Sequence, residues 1–311
     1  MKRIAVLLSG MPRNLDKVYQ SHLNIFKHDG YEFDFFIHAW KDCWYKQILA
    51  DNIHGITDFT NKTENEYDYL YNQIKKTYDP RGLIVEDQTK NKIIKKDSES
   101  LLNLSRLHKV INNDEKLMTP FKFVFKNLYQ CGLHLGQLYS LQACCKLKLE
   151  HEIRHNFKYD YVIKSRLDLY YKPDIHDEFK KYIKVAKSKS RMLFKWMSYQ
   201  NGLPFVGDMN YIGASDTVDK LCLDIYDYNI KVICREISGV DSYKRSECGN
   251  FNNEYTPEAI IGEKLQVNKI DAQFMASFPN FFPYRDYHRE MTQNFGEMIK
   301  VYQDTESKLW S

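Results

Sequence analysis

The chain opens on an apolar run that stops abruptly. Residues 3 to 8 (RIAVLL) pass at once into Ser9-Gly10-Met11-Pro12-Arg13-Asn14, the pattern of a buried strand closed by a tight loop. Residues 15 to 28 read as a helix, and Phe33 to Ile37 (FDFFI) as a second strand ending in His38-Ala39-Trp40. Strand, helix and strand in so short a stretch begin a parallel α/β sheet. From about 45 to 120 the chain is polar, with short apolar patches such as Gly82-Leu83-Ile84-Val85, which predict a third strand, and a helix near 64 to 77. Asn127 to Asn156 carries the longest helical pattern, with Leu128, Cys131, Leu135, Leu138, Cys145 and Leu149 spaced by three, four or seven. It leads into residues 159 to 169 (YDYVIKSRLDL), an apolar strand that ends in charge. Met192 to Trp196 and Asn210 to Ala214 read as further strands, and Thr217 to Tyr228 as a helix starting after Ser215. Thr256 caps another helix with Pro257 in its first turn, running through Ile260, Ile261 and Leu265. The segment Phe278 to Tyr287 is aromatic and proline-rich. With no internal repeat and no low-complexity linker, residues 1–311 are expected to form one α/β domain. Its Rossmann-like, mostly parallel sheet is flanked by helices, with unequal halves at about 1–170 and 171–311.

Two charges sit where that pattern wants apolar residues. Tyr161, Val162, Ile163, Leu167 and Leu169 suit a buried strand, so Arg166 and Asp168 either pair with each other or face a ligand. At the carboxyl end of a strand in an open α/β sheet, Asp168 can ligate Mg or Mn through a hard oxygen, and Arg166 can neutralise a diphosphate. The Ser9–Arg13 loop has the same placement after the first strand. It is either a plain turn or a site where Ser9 and the Gly10 backbone donate to a base, ribose or phosphate and Arg13 pairs with phosphate oxygens. It is neither a GxxxxGK[ST] loop nor a GxGxxG fingerprint. His38 is either a ligand contact beside Trp40 or a satisfied core histidine. Asp208 precedes a strand as a turn residue or as a carboxylate that orients a substrate or acts as base. Glu258 lies in a helix's first turn, where the dipole favours any carboxylate, and it can also take a proton from an attacking hydroxyl. Glu254 and Glu263 compete for that role, and His288 is a further candidate ligand.

Charge and cysteine usage narrow the classes. The 45 basic and 41 acidic residues leave a net charge of +4, which is no global basic field for nucleic acid. The local basic runs Lys90 to Lys96 and Lys180 to Arg191 are either solvated faces or contacts to an anionic membrane surface or acceptor. The apolar stretch Ile4 to Leu8 is too short for a signal peptide's core, and no run reaches the ~20 apolar residues of a membrane span, so the expected location is cytoplasmic. Seven scattered cysteines without a CxxC pair read as reduced thiols, and the sequons at Asn61 and Asn103 then carry no meaning.

Taken in order, IAVLLSGMPRNL with FDFFIHAW, the long helix followed by YDYVIKSRLDLYY, GDMNYIGAS and TPEAIIGEKL resemble the GT-A-fold nucleotide-sugar glycosyltransferases. The likeness is to the bacterial and large-virus enzymes of lipopolysaccharide or capsule synthesis, WavE-like proteins among them, and spans roughly residues 2 to 280. The resemblance implies a GT-A-like fold, a nucleotide-diphosphate sugar bound by the first half, and a glycan or lipid-linked acceptor bound by the second. It places Asp168 at the last position of the metal-holding Asp-x-Asp motif and Glu258 as the base of inverting members. The chain departs from that motif at its first Asp, which is Arg166 here. Two other readings stand beside it: a sugar nucleotidyltransferase, and a non-catalytic glycan-binding protein of the same fold.

Overall fold

The computed structural model describes residues 1–12, 15–26, 30–42, 65–112, 128–171, 182–183, 186, 191–194, 197–200, 203–207, 210–238, 257–274 and 281–283. Arg13, Asp208, Glu254, Thr256 and His288 lie outside the described residues. In chain order the elements are β1 (Lys2–Gly10), α1 (Leu15–Ile25), β2 (Tyr31–Asp42), α2 (Asn65–Tyr78), β3 (Gly82–Asp87), α3 (Lys92–Asn112) and α4 (Leu128–His155). These are followed by β4 (Tyr161–Arg166), β5 (Leu169–Tyr171), β6 (Arg191–Phe194), β7 (Met197–Gln200), β8 (Leu203–Val206) and β9 (Tyr211–Ala214). Then come α5 (Ser215–Cys222), α6 (Ile225–Ser238), α7 (Pro257–Val267), β10 (Asp271–Phe274) and β11 (Phe281–Pro283).

Among the described residues a seven-stranded sheet runs in the order β10-β6-β9-β4-β1-β2-β3. β1 pairs in parallel with β2 and β4, β2 with β3, and β10 with β6, while β9 is antiparallel to both β4 and β6. The expected α/β architecture, a mostly parallel central sheet flanked by helices, is therefore present. β5 pairs with β11 and β7 with β8 as short antiparallel ribbons.

The run that opened the sequence is apolar throughout because β1 is buried on both faces. Ile4, Val6 and Leu8 join Phe35, Ile37 and Ile163 in one core, closed by Leu15 and Ile25 of α1 and by Ile74 and Tyr78 of α2. Ala5 and Leu7 join Phe36 and Val162 in the other, closed by Leu138, Leu141 and Cys144 of α4 and by Ile260, Ile261 and Leu265 of α7. The period of two along the strand thus divides between two helical layers.

Helix α4 is about 42 Å long at 1.5 Å per residue and spans the second layer. Its end is fixed by Asn156, in the left-handed region at φ 51°. The Phe157 amide bonds the Glu152 carbonyl at 3.1 Å and the Asn156 amide that of Ile153 at 3.3 Å, which together make a Schellman cap. Two local expectations are corrected. The helix expected over Thr217 to Tyr228 is two helices with a turn at residues 223–224. The strand expected through Asp168 ends at Arg166, and residues 167–168 form a turn before β5. Part of the polar stretch is the helix α3, in which Ile94 and Leu101 are buried seven residues apart while Lys92, Lys95 and Lys96 face water. The lysines of that basic run, Lys90, Lys92, Lys95 and Lys96, are all exposed. No described helix is long and apolar enough to cross a membrane.

A buried ionic cluster ties α4 to α5. The fully buried Lys148 ammonium donates to Glu152 at 2.9 Å, Asp219 at 3.0 Å and Ser215 at 2.5 Å. Glu152 also accepts from Ser215 and from the Tyr159 amide, which places the start of the turn into β4. Burial raises the Asp219 carboxyl above its ordinary range, with Lys148 opposing that shift. Because truncating one partner strands buried charge, Lys148→Met is expected to destabilise the fold by about 3–5 kcal/mol, read as a lower midpoint in urea denaturation.

Candidate functional site

The order of strands along the sheet reverses at β1. From β1 the chain steps outward to β2 and β3, then returns to place β4 on the other side. In open α/β sheets ligands bind at such a switch point, outside the carboxyl ends of the strands. In-register pairing sets Arg166 of β4, Ser9 of β1 and His38 of β2 side by side in one row at those ends. Gly10 follows Ser9 with φ 112°, a conformation in which side chains are strained, and nothing lies within 4 Å of where a Cβ would stand. Glycine is required there by the backbone turn and not by crowding.

Arg166 and Asp168 do pair. Arg166 Nε donates to Asp168 Oδ1 and Nη2 to Oδ2, both at 2.8 Å, a bidentate geometry across the turn that ends β4. The two partners differ in exposure: the Asp168 side chain is 4% accessible and that of Arg166 is 24%. The turn is held from below. His22 of α1, fully buried, bonds the Leu169 carbonyl through Nε2 at 2.5 Å and the Tyr78 hydroxyl through Nδ1 at 2.8 Å. Ser21 Oγ accepts the Tyr171 amide at 3.1 Å.

On the other side of β1 a chain of hydrogen bonds leads away from the switch point. The Gly10 amide donates to Ser140 Oγ of α4 at 3.1 Å, so this backbone donor, expected to face a ligand, is engaged within the protein. Ser140 Oγ lies 2.8 Å from His38 Nδ1, and His38 Nε2 lies 2.8 Å from Glu86 Oε1 of β3. Asn91 Nδ2 donates to Glu86 Oε2 at 3.0 Å. His38 is 0% exposed, packed edge-on against Trp40 and Tyr139, and its Nε2 meets the part-exposed Glu86. Glu86 and Asn91, with Lys41, Asp68, Asp87 and Lys90, line a cavity of about 580 Å³ at the carboxyl ends of β2 and β3. Ser140, Glu86 and Asn91 were not singled out in the sequence, where nothing local distinguishes them.

Glu258 reaches the same edge of the sheet by another route. Only residues 268–270 separate α7 from β10, so the helix runs back along the strand, and its first turn lies at the carboxyl end of β10. Ser9, Gly10, His38, Arg166 and Asp168 are thus gathered at three adjacent strand ends, whereas β6 and β9 stand between β10 and β4, so Glu258 is not brought beside them. Among the described residues no group of three or more His, Cys, Asp or Glu is placed to hold a metal ion, and both Asp168 oxygens accept from Arg166. The described donor set does not assemble the Mg or Mn site expected at Asp168.

No family model matches the chain, and no curated protein matches its sequence. Among solved structures the chain is similar to apo mouse xyloside xylosyltransferase 1, with a TM-score of 0.39 and 8% identity over 88% of this chain and 85% of that one. That likeness is too distant to bear on the chemistry.

The support beneath the Arg166–Asp168 turn is pH-sensitive. Burial takes the His22 imidazole down to about 4, with the Leu169 carbonyl and Asp168 opposing that fall. With the folded value depressed, the unfolded chain takes the proton first as the pH drops. Stability is therefore whole above about 6.5 and is lost as the pH falls toward 4, by about 3 kcal/mol in all. Urea denaturation near pH 7 and near pH 4.5 is expected to show most of that difference, and His22→Gln is expected to flatten it.

Proposed function

We propose that the chain transfers a sugar from a nucleotide diphosphate to a hydroxyl of a glycan or lipid-linked acceptor, in the making of a surface polysaccharide. The observation that carries this reading is the pairing of Ser9 with Arg166 across the switch point of a mostly parallel sheet. It joins a glycine-turned loop and a clamped, part-exposed arginine side chain where such folds bind their ligands. The order of sequence stretches that resemble the GT-A glycosyltransferases is the second support.

In this reading the diphosphate lies over the ends of β1 and β4. As the bond between the anomeric carbon and the diphosphate oxygen breaks, negative charge grows on the leaving group. Arg166, its plane fixed by Asp168, stabilises that charge. The acceptor hydroxyl gives its proton to Glu258 as its oxygen attacks the anomeric carbon, with Asp208 as the other candidate base. The nucleoside extends from the diphosphate toward the cavity at the ends of β2 and β3. Arg13 belongs to the same loop as Ser9 and is assigned to the diphosphate with Arg166.

Calorimetric titration with UDP, GDP, CDP and ADP, followed by slow hydrolysis of the matching nucleotide sugars, tests the reading. At least one diphosphate is expected to bind, and Arg166→Ala to weaken it tenfold or more, about 1.4 kcal/mol. A folded protein that binds none of the four removes both this reading and the nucleotidyltransferase one. Binding without any turnover of nucleotide sugars favours a non-catalytic glycan-binding role.

A further inference from the structure

The cavity beside β3 has a chemistry of its own. Its walls carry the carboxylates of Asp68, Glu86 and Asp87 against the ammonium groups of Lys41 and Lys90. A wall with more carboxylates than cations disfavours a phosphate and suits a neutral group rich in hydroxyls.

Glu86 is the best-placed acceptor in that wall. Each of its oxygens is held from behind: Oε1 at 2.8 Å from His38 Nε2, and Oε2 by Asn91 Nδ2 at 3.0 Å. Both holders are themselves fixed. Asn91 caps α3, its Oδ1 accepting the amides of Ile93 at 3.1 Å and Ile94 at 3.0 Å. His38 is fully buried, with Ser140 on its other nitrogen, and Ser140 in turn takes the Gly10 amide. With Nε2–H donating to Glu86, Nδ1 accepts from the Ser140 hydroxyl, and every group in the chain is satisfied in one direction. The Glu86 side chain, 29% accessible, therefore presents an oriented carboxylate that, beyond the bonds from His38, Asn91 and the Tyr139 side chain, keeps capacity for a further donor. Preorganised acceptors of this kind lose little on binding.

The distance selects the partner. β3 lies two strand spacings from β1, about 10 Å. A nucleoside attached to a diphosphate at the switch point covers that reach, and its ribose carries a 2′-hydroxyl that the carboxylate can accept. Resting on the glycosyl-transfer reading, we propose that Glu86 recognises the ribose 2′-hydroxyl of the nucleotide, making the site selective for ribonucleotides over 2′-deoxyribonucleotides. His38 is its positioning residue.

The test compares UDP, GDP, CDP and ADP with their 2′-deoxy counterparts by calorimetry, on the wild type, Glu86→Gln, Glu86→Asp and His38→Phe, each checked for cooperative thermal unfolding. For whichever diphosphate binds, the ribose form is expected to bind at least tenfold more tightly than the deoxy form. Glu86→Gln and Glu86→Asp should bring that ratio to within threefold while leaving affinity for the deoxy form nearly unchanged. His38→Phe should lower the ratio as well, an outcome that a merely structural role would not produce. A wild type that binds both forms equally, or a ratio that survives both Glu86 variants, overturns the assignment while leaving the nucleotide site standing. A wild type that binds no nucleotide brings down the glycosyl-transfer reading, and this inference with it.

Discussion

The site depends on the register of one strand. β1 is paired on both edges and buried on both faces, so each of its residues is assigned a neighbour and a layer with no latitude. A slip of one position would exchange Ile4, Val6 and Leu8 with Ala5 and Leu7 between two differently shaped cores. Because that exchange is prohibitive, Ser9 stands beside Arg166 on one flank and His38 on the other. The chemistry-bearing row is a by-product of apolar packing several residues below it.

Where the ladder ends, side chains take over the hydrogen bonding that backbone partners no longer supply. The Gly10 amide finds Ser140, the Tyr171 amide finds Ser21, and the Leu169 carbonyl finds His22. Buried polar backbone demands such partners, and here each comes from a helix lying against the sheet. The helices α1 and α4 therefore do more than cover apolar faces. They set the conformation of the two loops, after β1 and after β4, that frame the switch point.

This division explains what was legible in the chain. β1, β2, β3 and α4 could be read because their signals are local: apolar runs, and a helical period ending at Asn156. Arg166 and Asp168 stood out because two charges interrupt an apolar strand two residues apart. The break between α5 and α6 was not legible, since the apolar period continues across residues 223–224 and no Gly or Pro marks it. Ser140 and Glu86 were hidden for a different reason. Ser140 meets Gly10 across 130 positions and His38 across 102, and Glu86 meets His38 across 48. A serine in a helix and a glutamate at a strand end are ordinary until tertiary pairing gives them partners.

The Arg166–Asp168 pair changes in meaning once its asymmetry is considered. An ion pair closed on itself between two buried groups would be a structural device, and its desolvation would largely offset its attraction. Here the carboxylate is almost wholly buried while a quarter of the arginine side chain reaches solvent. Asp168 therefore acts as the anchor and Arg166 as the group presented. In the glycosyl-transfer reading that arrangement supplies positive charge at the end of β4 through a covalently attached cation. Arginine in the first position of the Arg166-Leu167-Asp168 stretch is coherent with the turn, since its guanidinium reaches back to both Asp168 oxygens.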